Sequence, residues 1–307
     1  MDRSIGYARG MTASPPPTPP FLAACVQLRS TEDVEDNLRT LEILVGRAAR
    51  AGAALITSPE NTPLLGSPAA KLASAEPAGG PVEQRLAALA ARFGVHLLVG
   101  SLGEIVGVDA TRCYNTSVLF GPDGAEIARY RKLHLFDIDI PGGPRFVESA
   151  HIAPGDSVVV AQTRLGRIGL SICYDLRFPE LYRALVDQGA EILVVPSAFT
   201  LATGKDHWHV LNRARAIECQ AWLLAPAQEG RHDARGDRHS YGHSLIVDPW
   251  GVVVAECGEG PGIALAEIDP ARVTAVRRAM PVDQHRRLPA ASEGGLSTTC
   301  GPPLRIP

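Results

Sequence analysis

The chain has 307 residues, 45% of them hydrophobic and 21% charged, an ordinary globular balance with ample length for a sizeable core. Net charge is −3 and no basic stripe is present, which argues against nucleic acid and anionic membrane as partners, since both demand clustered Lys and Arg. Six scattered cysteines (25, 113, 173, 219, 257 and 300) form no C-x-x-C pair, so neither a disulfide scaffold nor a thiolate zinc site is expected.

Residues 1–20 hold no apolar stretch of signal-peptide length, and the run PPPTPP cannot pack a core; this segment reads as a disordered leader, with Met11 a possible natural start. No apolar run approaches the roughly 18 residues of a membrane-spanning helix, so a cytoplasmic protein is expected. Phe21 to Leu28 then reads as a buried strand. Helical spacing of Val34, Leu38, Leu41, Val45 and Ala48 predicts a helix from Asp33 to Arg50, capped by Thr31 or Asp33. A strand follows at Ala54 to Thr57, a helix at Val82 to Phe93 closed by Gly94, and a strand at His96 to Leu102. Pro122-Asp123-Gly124 marks the turn of a hairpin running from Ser117 to Tyr130.

In the second half, Thr163 to Cys173 reads as a hairpin leading into a strand, and Pro179 to Gln188 as a helix. Glu191 to Phe199 is a strand, His207 to Gln220 a helix and Trp222 to Gln228 a strand. A hairpin over Ser244 to Glu256, a strand at Ile263 to Asp269 and a short helix from Ala271 to Met280 complete the order. Residues 289–307 read as a surface tail. Ala51 to Asn61 parallels Gln188 to Phe199, and Ser117 to Ala128 parallels Ser244 to Ala255. These echoes, with no linker-like shift in composition, predict one α/β domain over residues 21–288, built from two related halves.

Three residues that could carry chemistry sit where apolar strands end: Glu60 after ALITSP, Lys132 after AEIARYR, and Cys173 after RIGLSI. Strand ends gather at one edge of a sheet, where such groups can converge. A thiol attacks as its thiolate, a carboxylate can take its proton, and an ammonium can hold charge developing on a substrate oxygen. Taken singly, each residue has a plainer reading: a small buried hydrophobe, a solvated acid, a surface lysine. Spacing alone does not establish a triad. His207 and His209 lie two apart, which on a helix sets them on different faces and favours packing over metal binding. Arg177 could take a substrate carboxylate or pair with Asp175 or Glu180. Arg231 to His243 reads as a polar loop near the pocket, and the RGD within it as chance.

The strings SPEN, YRKLHLFD (Tyr130 to Asp137) and ICYDLRFPELYR (Ile172 to Arg183) occur in this order, and the set resembles the nitrilase superfamily of carbon–nitrogen hydrolases. The likeness runs from about Phe21 to the QHRR at Gln284 to Arg287. It implies a four-layer α-β-β-α sandwich, a single domain with pseudo-twofold halves. It also implies that Glu60 is the general base, Lys132 the oxyanion-holding lysine and Cys173 the nucleophile. Glu148 would position Lys132 and Glu60, and the Tyr174 backbone N–H would be a second oxyanion donor. Arg177, Ser197, Phe199 and Thr200 are candidate substrate contacts. No metal or organic cofactor is implied, and pairing through outer helices predicts a homodimer or a higher even oligomer.

KDHW, RARAIE, AQEGRH, YGHS with DPWG, and QHRR are similar to the Nit branch of that superfamily. This implies hydrolysis of a small carboxylate-bearing amide through a cysteine thioester, with deaminated glutathione as the expected substrate. The alternatives are 2-oxoglutaramate, as in ω-amidases, and N-carbamoyl amino acids. Nitrilases commonly carry C-W-E where this chain has Cys173-Tyr174-Asp175. A catalytically silent binding module is the non-enzyme alternative.

Overall fold

The computed structural model describes residues 18–139, 145–233 and 238–287. The Pro-rich leader before residue 18, the RGD (Arg235 to Asp237), Cys300 and the tail from 288 lie outside the described residues.

In the first half, β1 (Phe21–Gln27) leads to α1 (Val34–Arg50), β2 (Ala53–Thr57), α2 (Pro68–Ala73) and α3 (Pro81–Phe93). Three long strands follow: β3 (His96–Val106), β4 (Asp109–Phe120) and β5 (Glu126–Arg131). A small hairpin of β6 (Asp137–Asp139) and β7 (Arg145–Val147) and the two-residue β8 (Ile152–Ala153) bridge to the second half. There β9 (Val160–Thr163), β10 (Gly166–Leu170), α4 (Pro179–Asp187), β11 (Ile192–Val194), α5 (Leu201–Cys219) and β12 (Trp222–Ala225) succeed one another. The chain continues through β13 (Glu229–Arg231), β14 (His239–Tyr241), β15 (Leu245–Val247), β16 (Val253–Glu256) and β17 (Gly262–Ile268) to α6 (Pro270–Ala279) and α7 (Val282–His285).

Two large sheets result, with orders β17-β1-β2-β3-β4-β5, where β8 also pairs with β4, and β9-β10-β11-β12-β15-β16; β6–β7 and β13–β14 are separate two-stranded pairs. The orders superimpose term by term. Each has a central parallel run of three strands, an antiparallel edge on one side and an antiparallel hairpin on the other. The two sequence echoes are therefore equivalent places: β2 matches β11, and the β4–β5 hairpin matches β15–β16.

Alternation along β1 separates the layers. Ala23 and Cys25 enter the core shared by both sheets, with Leu98, Leu119, Ile168, Leu193 and Leu223. Ala24 and Val26 face the other way, against Leu38, Leu41 and Val45 of α1 and Leu86 and Leu89 of α3. Helices α4 and α5 cover the second sheet through Leu181, Leu185, Trp208 and Ala216. This is the four-layer sandwich that the motifs imply, a mixed α/β single domain.

Side-chain caps set the starts of α1, α2 and α6. The Asp33 carboxylate accepts from Asp36 N at 3.0 Å and caps α1. The observed elements depart from the sequence reading in several places, three of which matter here. Helix α5 begins at Leu201, a full turn and more before His207, because Thr200 supplies an extended cap and Gly204 lets the helix lie against Tyr241. A Cβ on Gly204 would stand 2.3 Å from Tyr241 Cβ. Strand β3 extends to Val106 against β4. The stretch from Arg231, read as loop, includes β14, which pairs with β13.

Candidate active site

Glu60 lies past the end of β2, Lys132 one residue past β5, and Cys173 three residues past β10. The pseudo-symmetry brings these ends together between the sheets. Gly100 makes the approach possible: a Cβ there would stand 2.0 Å from Ser58 O and 2.4 Å from the Pro196 ring.

Lys132 is the hub. Its backbone N–H donates to Asn115 O at 2.9 Å, and its Nζ donates to Glu60 Oε1 at 2.9 Å and to Glu148 Oε2 and Oε1 at 2.9 and 3.1 Å. Lys132 and Glu60 are 2% and 3% exposed, so this contact escapes the solvent screening that weakens surface pairs. Glu60 Oε1 also accepts from Asn115 Nδ2, and Oε2 accepts from Ala198 N, both at 2.9 Å. Glu148 Oε2 is fixed by Phe136 N at 2.6 Å.

Cys173 opens a 3₁₀ turn, Cys173–Arg177, with φ of 48°, a left-handed conformation that side chains other than glycine adopt at a cost of order 1–3 kcal/mol. Its N–H donates to Pro196 O at 2.8 Å, which fixes the turn. Tyr174, second in the turn, has an N–H without an intrahelical acceptor, as in any first helical turn. Its ring packs edge-on to Phe136 and Phe178 at 5.0 and 5.3 Å.

Charge follows from these contacts. Burial alone would raise the Glu60 carboxyl, but the Lys132 ammonium and its hydrogen bond more than offset this and hold it below its ordinary value. Burial would likewise lower Lys132, yet Glu148 and Glu60 raise it well above the ordinary lysine value. Burial pushes the Cys173 thiol up strongly, and the adjacent Glu60 carboxylate adds to it. The resting arrangement is a protonated thiol beside an ionised carboxylate and a charged ammonium. Such a set can move a proton from sulfur to carboxylate only as the sulfur attacks a carbon, with the ammonium near the oxygen that gains charge.

The remaining candidates separate. Arg177 pairs with neither Asp175 nor Glu180. Its guanidinium lies 5.1 Å over the Phe199 ring and 3.3 Å from His207 Nδ1. Asp175 is fully buried and already committed elsewhere. Ser197 is wholly buried, its hydroxyl donating to Val195 O at 3.1 Å, so this segment meets the cluster through the Ala198 N–H. Phe199 packs on Trp208, and Thr200 caps α5 with its hydroxyl 2.8 Å from that of Thr203. Gln228 and His232 stand behind the cluster: Gln228 Nε2 donates to Glu60 O at 3.0 Å, and His232 Nδ1 lies 2.8 Å from Ser30 O.

Sequence reading missed Asn115, the Ala198 N–H and the buried Asp175 carboxylate. The first had a signal, since Asn115-Thr116-Ser117 is a polar run inside a strand and all three are buried. A cavity of about 210 Å³ lies beside Asn61 and Asn115, with Lys71, Glu76, Cys113 and Tyr114 also lining it.

The fold and the cluster define a class, and the comparisons agree. The carbon–nitrogen hydrolase family matches residues 22–278, and the chain belongs to it, within the nitrilase superfamily that its motifs resemble. Its members hydrolyse carbon–nitrogen bonds, and this chain is an amidase-type hydrolase. Among curated relatives, the deaminated glutathione amidase of Synechocystis sp. is 48% identical over 269 residues, covering 87% of this chain and 98% of the relative. The NitFhit protein of C. elegans superimposes with a TM-score of 0.83 at 39% identity, covering 88% of this chain and 66% of that one. A Glu-to-Gln mutant of the amidase from Nesterenkonia sp. AN1 superimposes with a TM-score of 0.70 at 27% identity, covering 86% of this chain and 96% of that one; that mutant shows covalent addition of the acetamide moiety of fluoroacetamide at the active-site cysteine.

Proposed function

We propose that the chain hydrolyses the amide of deaminated glutathione, with Cys173 as nucleophile, Glu60 as general base and acid, and Lys132 as oxyanion donor. One observation carries the reading: a fully buried lysine bridges Glu60 and Glu148 beside a cysteine held at positive φ. Curated relatives named deaminated glutathione amidase, nearly half identical over most of the chain, support the choice of substrate.

As the Cys173 sulfur attacks the amide carbon, Glu60 takes its proton. The carbonyl oxygen gains negative charge, met by Lys132 Nζ and the Tyr174 N–H. The C–N bond then breaks, and the leaving amine takes the proton from Glu60. Water attacks the thioester while Glu60 accepts one of its protons, the C–S bond breaks, and Glu60 returns that proton to the departing Cys173 sulfur, restoring both thiol and carboxylate. Glu148 positions Lys132. Arg177, which has no carboxylate partner among the described residues, receives a substrate carboxylate above Phe199.

We take residues 21–288 as the hydrolase unit, the chain as a homodimer or a higher even oligomer, and its location as cytoplasmic. Exposed Val210 and Ile217 on α5, with Trp250, Val252 and Val254 on the β15–β16 hairpin, offer an apolar face for pairing. Cys25, Cys113, Cys173, Cys219 and Cys257 are free thiols, which suits a reducing compartment. Among the described residues no helix is long and apolar enough to cross a membrane.

Product formation from deaminated glutathione and from 2-oxoglutaramate, measured side by side with Cys173→Ala, tests the proposal. Preference for the first, lost in the variant, is the expected result. Preference for the second reassigns the substrate and keeps the chemistry, while turnover by Cys173→Ala overturns the nucleophile.

A further inference from the structure

His209 on α5, His243 just before β15 and Glu256 at the end of β16 converge on one point. His209 Nε2 lies 3.0 Å and His243 Nδ1 2.5 Å from the same oxygen, Glu256 Oε1, and the three ligand atoms all fall within 4.8 Å of one another. None of these side chains hydrogen-bonds to Glu60, Lys132, Glu148 or Cys173, so the cluster is separate from the catalytic one. We propose that it is a binding site for a divalent late transition metal, zinc in particular.

The donor set is two imidazoles and a carboxylate, borderline ligands that suit Zn²⁺ and leave a position for water. In a tetrahedral zinc site, with bonds of about 2.0–2.1 Å, ligand atoms stand roughly 3.3 Å apart, so small side-chain rotations open the cluster around an ion. Zinc binding needs neutral rings with bare nitrogens facing the metal. The proton on each ring moves to its other nitrogen, Nδ1 of His209 and Nε2 of His243, and no net proton is released from neutral rings. Each side chain is about a third exposed in the single chain, at 33%, 36% and 32%, and the cluster borders the apolar face offered for pairing.

The geometry is held from outside the cluster. The His243 ring stacks on Tyr241 at 4.4 Å, and the His209 ring stands edge-on to both, at 5.5 and 6.0 Å. Trp208 Nε1 donates to His243 O at 2.8 Å, fixing a residue whose φ is 57°. A simple ion pair would need one histidine. Two rings from different elements meet one carboxylate oxygen, and a metal held among them would tie α5 to the β15–β16 hairpin.

The test is titration of untagged, chelator-treated protein with Zn²⁺ by calorimetry, alongside thermal unfolding. It is run on the wild-type chain and on Cys173→Ala, so that binding at the reactive thiol is counted separately. The expected result is one equivalent bound in both, with a raised unfolding temperature. His209→Ala and Glu256→Gln should weaken that equivalent by more than about tenfold and abolish the thermal shift. Glu256→Gln keeps an amide oxygen that can accept from both rings, so its apo stability reports folding independently. Absence of a saturable equivalent in Cys173→Ala, or unchanged affinity in folded Glu256→Gln, would overturn the site.

Discussion

The Tyr130 hydroxyl donates to Asp175 Oδ2 at 2.7 Å, and this bond ties the strand that delivers Lys132 to the turn that delivers Cys173. Asp175 is fully buried and also accepts from Ile172 N, His134 N and the His134 ring, at 2.8, 3.1 and 2.7 Å. The His134 ring stacks on Phe178 at 3.7 Å, so the K-L-H and C-Y-D strings are two sides of one joint.

Tyr130→Phe removes a hydrogen bond to a buried charge and should cost about 1.5–3 kcal/mol, read as a lowered urea midpoint with unchanged slope. Turnover should fall more than KM changes, because the joint sets how the two catalytic segments meet. A variant with wild-type stability and turnover would show that the joint is redundant.

Lys132→Ala leaves Glu60 and Glu148 facing one another without a cation. Removing one partner of a buried ion pair costs about 3–5 kcal/mol, and losing an oxyanion donor lowers kcat by roughly 10²–10³ or more. Folded protein isolated at low temperature should therefore be almost inactive. Retained kcat would remove Lys132 from the mechanism.

Glu60 must be ionised to accept the thiol proton. Its folded-state value is depressed, so activity persists as pH falls through the ordinary carboxyl value of 4.5 and is lost only below it. The acid limb of kcat/KM, recorded within the range where the protein stays folded, should lie below that value. A limb near 6 would mean that another group limits the reaction.

Burial, the dominant cause, lowers the His232 imidazole from 6.5 to about 4 in the folded chain. Between those values the unfolded chain binds a proton that the folded one does not. Stability is therefore full above about pH 6.5 and falls as pH drops toward 4, by about 3 kcal/mol in all. Urea midpoints from pH 7 to 4 should show this slope, and His232→Gln should flatten it. An unchanged slope in the variant would place the acid sensitivity elsewhere.

Gly204→Ala should destabilise the start of α5, since the new methyl meets the Tyr241 Cβ carbon and overpacking typically costs about 1–3 kcal/mol. Circular-dichroism melting gives the direct reading. A neutral effect would mean that Tyr241 can move aside freely.

Periodicity, caps and turn residues are local, and they were legible in the chain. Asp33 and Gly94 marked helix ends, Pro122 to Gly124 marked a hairpin, and the echo of Ala51 to Asn61 in Gln188 to Phe199 marked two equivalent strands. Residue type and strand-end position made Glu60, Lys132 and Cys173 no more than candidates; the motif strings around them, through their resemblance to the nitrilase superfamily, gave them roles.

Tertiary structure alone decided how those ends meet. Lys132 bonds to Glu60, 72 residues away, and Ala198 N–H to Glu60 across 138 residues, contacts that no local pattern encodes. It also decided that Arg177 pairs with neither neighbouring acid, because the second sheet and its turn bury Asp175 and hold the guanidinium over Phe199. His209 looked like one half of a dissimilar pair with His207 on one helix. Its partners, His243 before β15 and Glu256 at the end of β16, come from outside that helix, since packing joins residues by distance in space and sequence periodicity reports only distance along the chain.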